Sequence, residues 1–305
     1  MICPIRTDER IMIFNPRRFA RLLKWNFIHL LPRHDVEIET WNGRLACDNK
    51  DWLIGKYLYI YRSYEADTIR LCTDLLAQEG YLEKSGNGLV LDVGANIGMI
   101  SVALLKHGHF SDAIAFEPNP NSYRLLIHNV SQNGLENKIE CFPYALSSSE
   151  SEADLELSKE NSGDDNLRFD SAHRAFRENT RPTVIVPVKT LDSFFDERMH
   201  RSLEKLSLIW VDIQGHEGYF FRGARRVLDR GVPVVSEFWP YGIKRSGMSL
   251  SDYSRIVNDM FTHFYHFSDG QFEKMEIGRI DELYTIYETP REFSQIIFVK
   301  RPKDN

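Results

Sequence analysis

No apolar run in this chain approaches the ~18 residues that a membrane-spanning helix needs, and the first residues lack the apolar core of a secretion signal. Cysteine is sparse. Cys3, Cys47, Cys72 and Cys141 stand far apart with no C-x-x-C pair, so neither a zinc site nor a disulfide framework is expected. Basic residues do not prevail either. A net charge of −6 gives no electrostatic footprint for non-specific nucleic-acid binding. Internal repeats and low-complexity tracts are also missing.

What remains is a chain of 305 residues, 42% hydrophobic, long enough to bury one substantial core and carry an N-terminal extension. The most informative stretch is Leu89-Val90-Leu91-Asp92-Val93-Gly94-Ala95-Asn96-Ile97-Gly98. A short apolar run ending in an acid fits a buried parallel strand, and Gly94 and Gly98 allow a tight turn into a helix. Ala113 to Pro118 is a second such strand, and Glu117 at its tip is the usual partner of ribose hydroxyls. A ribose-bearing cofactor is therefore expected. A dinucleotide fingerprint wants glycine where Asn96 stands, and a Cβ there crowds a pyrophosphate. S-adenosylmethionine has no phosphate, and Asp92 suits its ammonium group, directly or through water.

From residue 89 onward strands and helices alternate: strand 89–92, helix 97–106, strand 113–117, helix 119–132, strand 138–142. That alternation predicts an α/β fold, a parallel sheet with helices on both faces. Ser147 to Pro182 interrupts it with a polar, charged insertion, read as an acceptor lid or a surface loop. Val184 to Val188 reads as a short strand. Phe264 to Phe267 and Gln295 to Lys300 read as the last two. Phe238 to Gly242 is an aromatic stretch that could stack on a flat acceptor or cover the core.

Residues 1–63 read as a helical and hairpin extension, and 64–305 as the main domain with 147–182 inserted. Asn15-Pro16 opens a helix with Phe19, Leu22, Leu23, Phe27, Leu30 and Leu31 on one face and Arg17, Arg18, Arg21 and Lys24 on the other. Residues 14–31 could lie on an anionic membrane or dock a partner. The blander expectation is a helix packed on the core with its basic side in water. Trp41-Asn42-Gly43-Arg44 suggests a hairpin turn, and Glu65 to Gln78 a helix.

Several motifs in order resemble the FkbM family of methyltransferases: Asp92-Val93-Gly94-Ala95-Asn96-Ile97-Gly98, Phe116-Glu117-Pro118, Asn129, Leu191-Asp192-Ser193-Phe194, and Asp212-Ile213-Gln214-Gly215-His216-Glu217. The resemblance covers roughly Tyr64 to Glu237. It implies a Rossmann-like class I methyltransferase with a mostly parallel seven-stranded sheet, S-adenosylmethionine as cofactor, and a cytoplasmic location in keeping with reduced cysteines. It further implies that Asp92, Gly94, Asn96 and Gly98, with Ala95 in the same turn, line the methionine end. Glu117, flanked by Pro118 and Asn119, would hold the ribose. Ala145 and Leu146 would sit beside adenine, and Glu65 near cofactor or acceptor. The departure is Gln214, where the motif also accepts an acid, which makes it a poor candidate for an essential base.

Methyl transfer from a sulfonium is an in-line displacement needing close positioning and removal of the acceptor's proton. Asp212, His216, Glu217 and Glu237 are expected at the ends of adjacent strands. Asp212 is the expected central group, with His216 or Glu217 as base, since histidine titrates near neutrality. The acids could instead hold Mg²⁺, but the expected ligand set is absent and no metal is assigned. The expected activity is O-methylation of a sugar, glycan or polyketide-like hydroxyl, a small-molecule or glycan acceptor. A non-catalytic scaffold or membrane-docked module is the alternative, and an NAD or nucleotide-sugar enzyme a third. The sequence leaves the oligomeric state open.

Overall fold

A computed structural model describes residues 15–83, 86–158, 161–168, 180–198, 203–268 and 270–300. The chain begins with α1 (Pro16–Leu30), a hairpin of β1 (Asp35–Thr40) and β2 (Gly43–Asp48), α2 (Ile54–Tyr61) and α3 (Ala66–Gln78). The alternating core follows: β3 (Leu89–Val93), α4 (Met99–Lys106), β4 (Asp112–Phe116), α5 (Pro120–Gln132) and β5 (Ile139–Phe142). Next come β6 (Ala145–Leu146), β7 (Ser151–Glu156), β8 (Asn166–Leu167) and β9 (Thr183–Lys189), then α6 (Leu191–Arg198), β10 (Leu206–Val211), α7 (Glu217–Gly223), α8 (Arg225–Leu228) and β11 (Val234–Phe238). The last elements are α9 (Pro240–Arg245), α10 (Leu250–Met260), β12 (His263–Ser268), β13 (Gln271–Glu276), α11 (Leu283–Ile286) and β14 (Ser294–Val299).

The main sheet runs β13-β12-β14-β11-β10-β3-β4-β5. From β11 to β5 the pairings are parallel, and β14, β12 and β13 join by antiparallel pairing. The sheet is mostly parallel as expected, but it has eight strands rather than seven. The added strand, Gln271–Glu276, is charged and largely exposed on the sheet edge, so it carries no buried apolar run to announce it. Val184 to Val188 is a strand as expected, within β9. It belongs not to the main sheet but to a separate four-stranded sheet, β6-β9-β7-β8, in which β7 and β8 come from the polar insertion.

The inner strands are apolar because both faces are covered. On β3, Leu89, Leu91 and Val93 enter one core with Phe220, Phe221 and Val257, while Val90 enters the other with Val102, Leu126 and Trp210. Truncating one of these, Leu91→Ala for instance, would cost about 2–5 kcal/mol. Among the described residues no helix is long and apolar enough to cross a membrane.

The N-terminal elements pack onto this core through Trp25, Leu58, Met99 and Leu125. Trp41 and Asn42 make the predicted hairpin turn, with Thr40 paired to Gly43. The Asn42 amide donates to the carbonyls of Tyr64 and Met99, at 2.8 and 3.1 Å. Asn129 on α5 is fully buried. It accepts the Ala46 N–H at 2.6 Å and donates to the carbonyls of Ala46 and Ile97 at 3.1 and 2.8 Å. These bonds join the front hairpin to the turn after β3.

Helix α1 is oriented against expectation. Asn15 caps it, accepting from Arg17 N–H and Arg18 N–H. Trp25, fully buried, fixes which side faces inward. Arg21 then donates to the Ile60 carbonyl at 3.0 Å, and the Arg18 guanidinium lies 5.0 Å over the Tyr61 ring. Part of the basic side is thus turned toward the protein. Phe19, Leu23, Phe27 and Leu30 are turned to solvent.

Candidate active site

Adjacent β3 and β10 run in register, Trp210 opposite Asp92 and Val211 opposite Val93. Strand order reverses between them, which opens a crevice outside their carboxyl ends, the ligand position of open α/β sheets. A cleft lies there, enclosing about 1170 Å³ when its open mouth is included. Asp92, Glu117, Asp212 and Glu237 line it from four consecutive strand tips, and Glu65 lines it from the start of α3.

The turn after β3 has the backbone its sequence requires. Gly94 and Gly98 have φ of +84° and +88°, and Asn96 has φ +49°, the left-handed region that glycine and asparagine tolerate. A Cβ at Gly94 would lie 2.0 Å from the Asp212 carbonyl oxygen, so glycine is what lets the two strand tips close together. Gly94 N–H and Ala95 N–H both donate to the Phe116 carbonyl, at 3.0 and 2.9 Å. Asn96 N–H donates to Glu117 Oε2 at 2.8 Å, and Asn119 N–H to Oε1 at 2.7 Å. Gly94, Ala95, Asn96, Pro118, Ala145 and Leu146 all line the cleft. Gly98 and Asn119 do not. The first starts α4, and the second caps α5 by accepting from Asn121 N–H.

The carboxyls share one electrostatic condition. Burial pushes Glu65 and Glu117 up to about 8 and Asp92 up to about 6. Ser101 holds Asp92 through its N–H at 3.0 Å and its hydroxyl, which opposes that rise. Asp212 and Glu237 are both raised, first by burial, and Glu237 further by the nearby Asp212, Glu217 and Glu65. Five acids facing one cleft, Asp92, Glu117 and Glu237 buried and Glu65 and Asp212 half-buried, favour a cationic occupant. Among the described residues no group of three or more His, Cys, Asp or Glu has metal-holding geometry.

Gln214, set aside in the sequence for its lack of charge, is central here. Its amide Nε2 donates to Asp212 at 2.8 Å and reaches Glu237 at 3.4 Å, so one neutral side chain separates two carboxylates. Its Oε1 is buried without a hydrogen-bond partner among the described residues. The D-x-Q spacing was the available signal, since residues two apart leaving a strand share a side. His216 and Glu217 are placed differently from one another. The His216 ring lines the cleft, bonds Ser147 Oγ at 2.8 Å and stacks on Tyr219. Burial pushes its pKa down to about 3, well below the ordinary value from which a base was inferred. Glu217 does not line the cleft. Its Oε1 accepts from Ile213 N–H at 3.0 Å and Gly215 N–H at 3.3 Å, tying its own turn.

The insertion contributes a wall. Ser162, Asp165 and Leu167 line the cleft, as do Leu53, Ile54 and Tyr64 from the front elements. Ser162 N–H and Oγ donate to Asp51, at 3.1 and 2.6 Å, and Asn119 donates to Asp165 at 2.5 Å. Arg245, buried, pairs with Asp164 at 3.1 Å and donates to the Gln214 carbonyl at 2.9 Å. Arg181 holds the other Asp164 oxygen at 2.5 Å. The aromatic stretch after β11 covers the core instead: Phe238 and Trp239 are fully buried, and neither lines the cleft.

Known proteins similar to this chain are methyltransferases. Over 180 residues the chain is 26% identical to the methyltransferase sdnD of Sordaria araneosa, covering 52% of this chain and 69% of that protein. A methyltransferase FkbM structure from Methylobacillus flagellatus shares 14% identity at a TM-score of 0.43 over 74% of this chain. It is the longer molecule, and this chain spans about half of it, 47%. An O-methyltransferase from Bacillus cereus, solved with S-adenosylhomocysteine, shares 10% identity at a TM-score of 0.43, with 96% of each chain covered. The description "Methyltransferase FkbM domain" fits residues 92–283. These bounds run from the acid of the first core strand past the last cleft-lining strand tip, and the chain belongs to that family of methyltransferases.

Proposed function

We propose that the protein is an S-adenosylmethionine-dependent O-methyltransferase acting on a hydroxyl of a sugar, glycan or polyketide-like compound. The observation that carries this reading is the ring of five carboxyls, Glu65, Asp92, Glu117, Asp212 and Glu237, facing one cleft. A dinucleotide would bring two phosphates against those acids, whereas a sulfonium and an ammonium group bring the charge they lack. When bound, S-adenosylmethionine supplies an electrophilic methyl carbon, and the electrons of the broken S–C bond stay on sulfur.

The chain's own groups then have distinct tasks. Glu117 holds the ribose, its two oxygens fixed by the amides of Asn96 and Asn119. Asp92 and Asp212 face the methionine end, with Gln214 keeping Asp212 hydrogen-bonded in its charged form. Glu237 removes the acceptor's hydroxyl proton. Its raised pKa makes its carboxylate a stronger base than an ordinary glutamate. His216, held neutral by burial, adds no positive charge to the acceptor end. The acceptor side presents carboxylates and the Gln214 Oε1, hydrogen-bond acceptors that favour a substrate with several hydroxyl donors.

Titration of the folded protein with S-adenosylhomocysteine in a calorimeter tests the cofactor, with stoichiometric binding expected. A mass-resolved assay over a panel of polyhydroxylated acceptors tests the reaction. A folded protein that gives no binding heat with either S-adenosylmethionine or S-adenosylhomocysteine would end the proposal.

A further inference from the structure

We propose that α1 is a peripheral anchor that lays its outward stripe into an anionic lipid surface. Phe19, Leu23, Phe27 and Leu30 follow one another at helical spacing, and they are 51%, 55%, 65% and 80% exposed. Ordinary packing would hide such a row. Here Trp25 docks the opposite side, so the apolar row is held in water by the same contacts that hold the helix. Trp52, 36% exposed, packs edge-on to His29 of α1 with Lys56 Nζ 4.1 Å over its ring.

Charge selects the occupant. Between Asn15 and His34 stand Arg17, Arg18, Arg21, Lys24 and Arg33 and no acidic residue, in a chain whose net charge is −6. Arg17 and Lys24 flank the stripe without a carboxylate in ion-pair reach among the described residues. Apolar side chains flanked by bases are the pattern of helices that lie in the headgroup layer. A second copy docked through this face would set one basic helix against another, which like-charge repulsion opposes. One 15-residue helix also offers a narrow stripe against the ~1,200–2,000 Å² that stable protein interfaces bury. A lipid surface, with dispersed negative charge and a soft apolar layer, meets both features.

The proposal is independent of the methyl-transfer reading, because the stripe shares no side chain with the cleft. Its test is co-sedimentation of the full chain with vesicles of phosphatidylcholine alone or mixed with phosphatidylserine. Binding to the mixed vesicles should be about tenfold stronger than to neutral ones and should fall in high salt. The double variant Leu23→Glu/Phe27→Glu should lose at least about tenfold of that binding while keeping its melting temperature and its S-adenosylhomocysteine affinity. Ile185→Glu, at an exposed apolar site on β9, should bind as the parent does. Equal binding to neutral and anionic vesicles, or a double variant that binds like the parent, would overturn the proposal. So would a lipid-free dimer that the double variant dissolves, since that assigns the stripe to a second copy.

Discussion

Asn96 N–H donates to the Glu117 carboxylate at 2.8 Å, which fastens the glycine turn after one strand to the acid at the tip of the next. The second oxygen of the same carboxylate holds Asn119 N–H. Glu117→Ala would leave two buried amides without acceptors, costing about 1–3 kcal/mol for each buried group left unpaired. Under the proposed function it would also remove the acceptor of the ribose hydroxyls. Calorimetry should show S-adenosylhomocysteine affinity falling roughly 10–100-fold, with Glu117→Gln intermediate.

The raised acids give the empty protein a defined pH response. Glu65 and Glu117 sit at about 8, Glu217 at about 7 and Asp92 at about 6, all above the ~4 of an unfolded carboxyl. Folding therefore favours their neutral forms. The stability they contribute is full below about pH 4 and is lost as pH rises through about 6 to 8. The melting temperature of the ligand-free protein should fall across that window, and Glu65→Gln should flatten the fall. Cofactor affinity should rise over the same window, with protons released on binding. Calorimetry in buffers of different ionisation enthalpy reads that release directly.

Gln214 between Asp212 and Glu237 keeps two charges from becoming three. Gln214→Glu should lower stability by about 1–3 kcal/mol near neutral pH and move the rising limb of the rate profile to higher pH. Gln214→Ala leaves Asp212 without its amide, and turnover should drop about 10–100-fold with a smaller change in melting temperature. A pH–rate profile of both variants separates the two effects.

Arg245 pairs with Asp164 in a setting where its side chain is 3% exposed. Removing one partner of a buried pair leaves the other charge uncompensated, a loss of about 3–5 kcal/mol. Arg181 still holds Asp164, so Arg245→Met should fall at the lower end of that range by chemical denaturation. The cleft wall that Asp164 carries should loosen with it, seen as faster protease cleavage within residues 161–168.

Asn129→Leu provides a contrast far from the acids. Its side chain satisfies Ala46 and Ile97 backbone groups, so denaturation should show a loss of about 2–4 kcal/mol with little change in the pH dependence of cofactor binding.

Much of this arrangement could be read in the chain itself. Strands covered on both faces must be apolar, and Asp92, Glu117, Asp212 and Glu237 stand out because each ends such a run. What escaped was set by tertiary contact. β13 is an exposed edge strand, so its charged residues give no pattern. The apolar and aromatic run of α2 has no strong helical signature, although its first turn forms part of the cleft. The basic side of α1 was expected in water, but Trp25 decides the rotation of that helix and nothing local does. His216 was judged by its ordinary pKa, which deep burial displaces. Gln214 was passed over because it does not titrate, and its importance is in separating two groups that do.

Leu53, Ile54 and Tyr64 form one side of the cleft, yet they lie ahead of the region that identifies the family, which starts at Asp92. Four of the five acids of the cleft lie inside that region, and this flank lies ahead of it. A chimera that exchanges only the front elements between two such proteins would keep the donor chemistry while changing which molecules fit beside it, and one cut at residue 64 would be left with an open side.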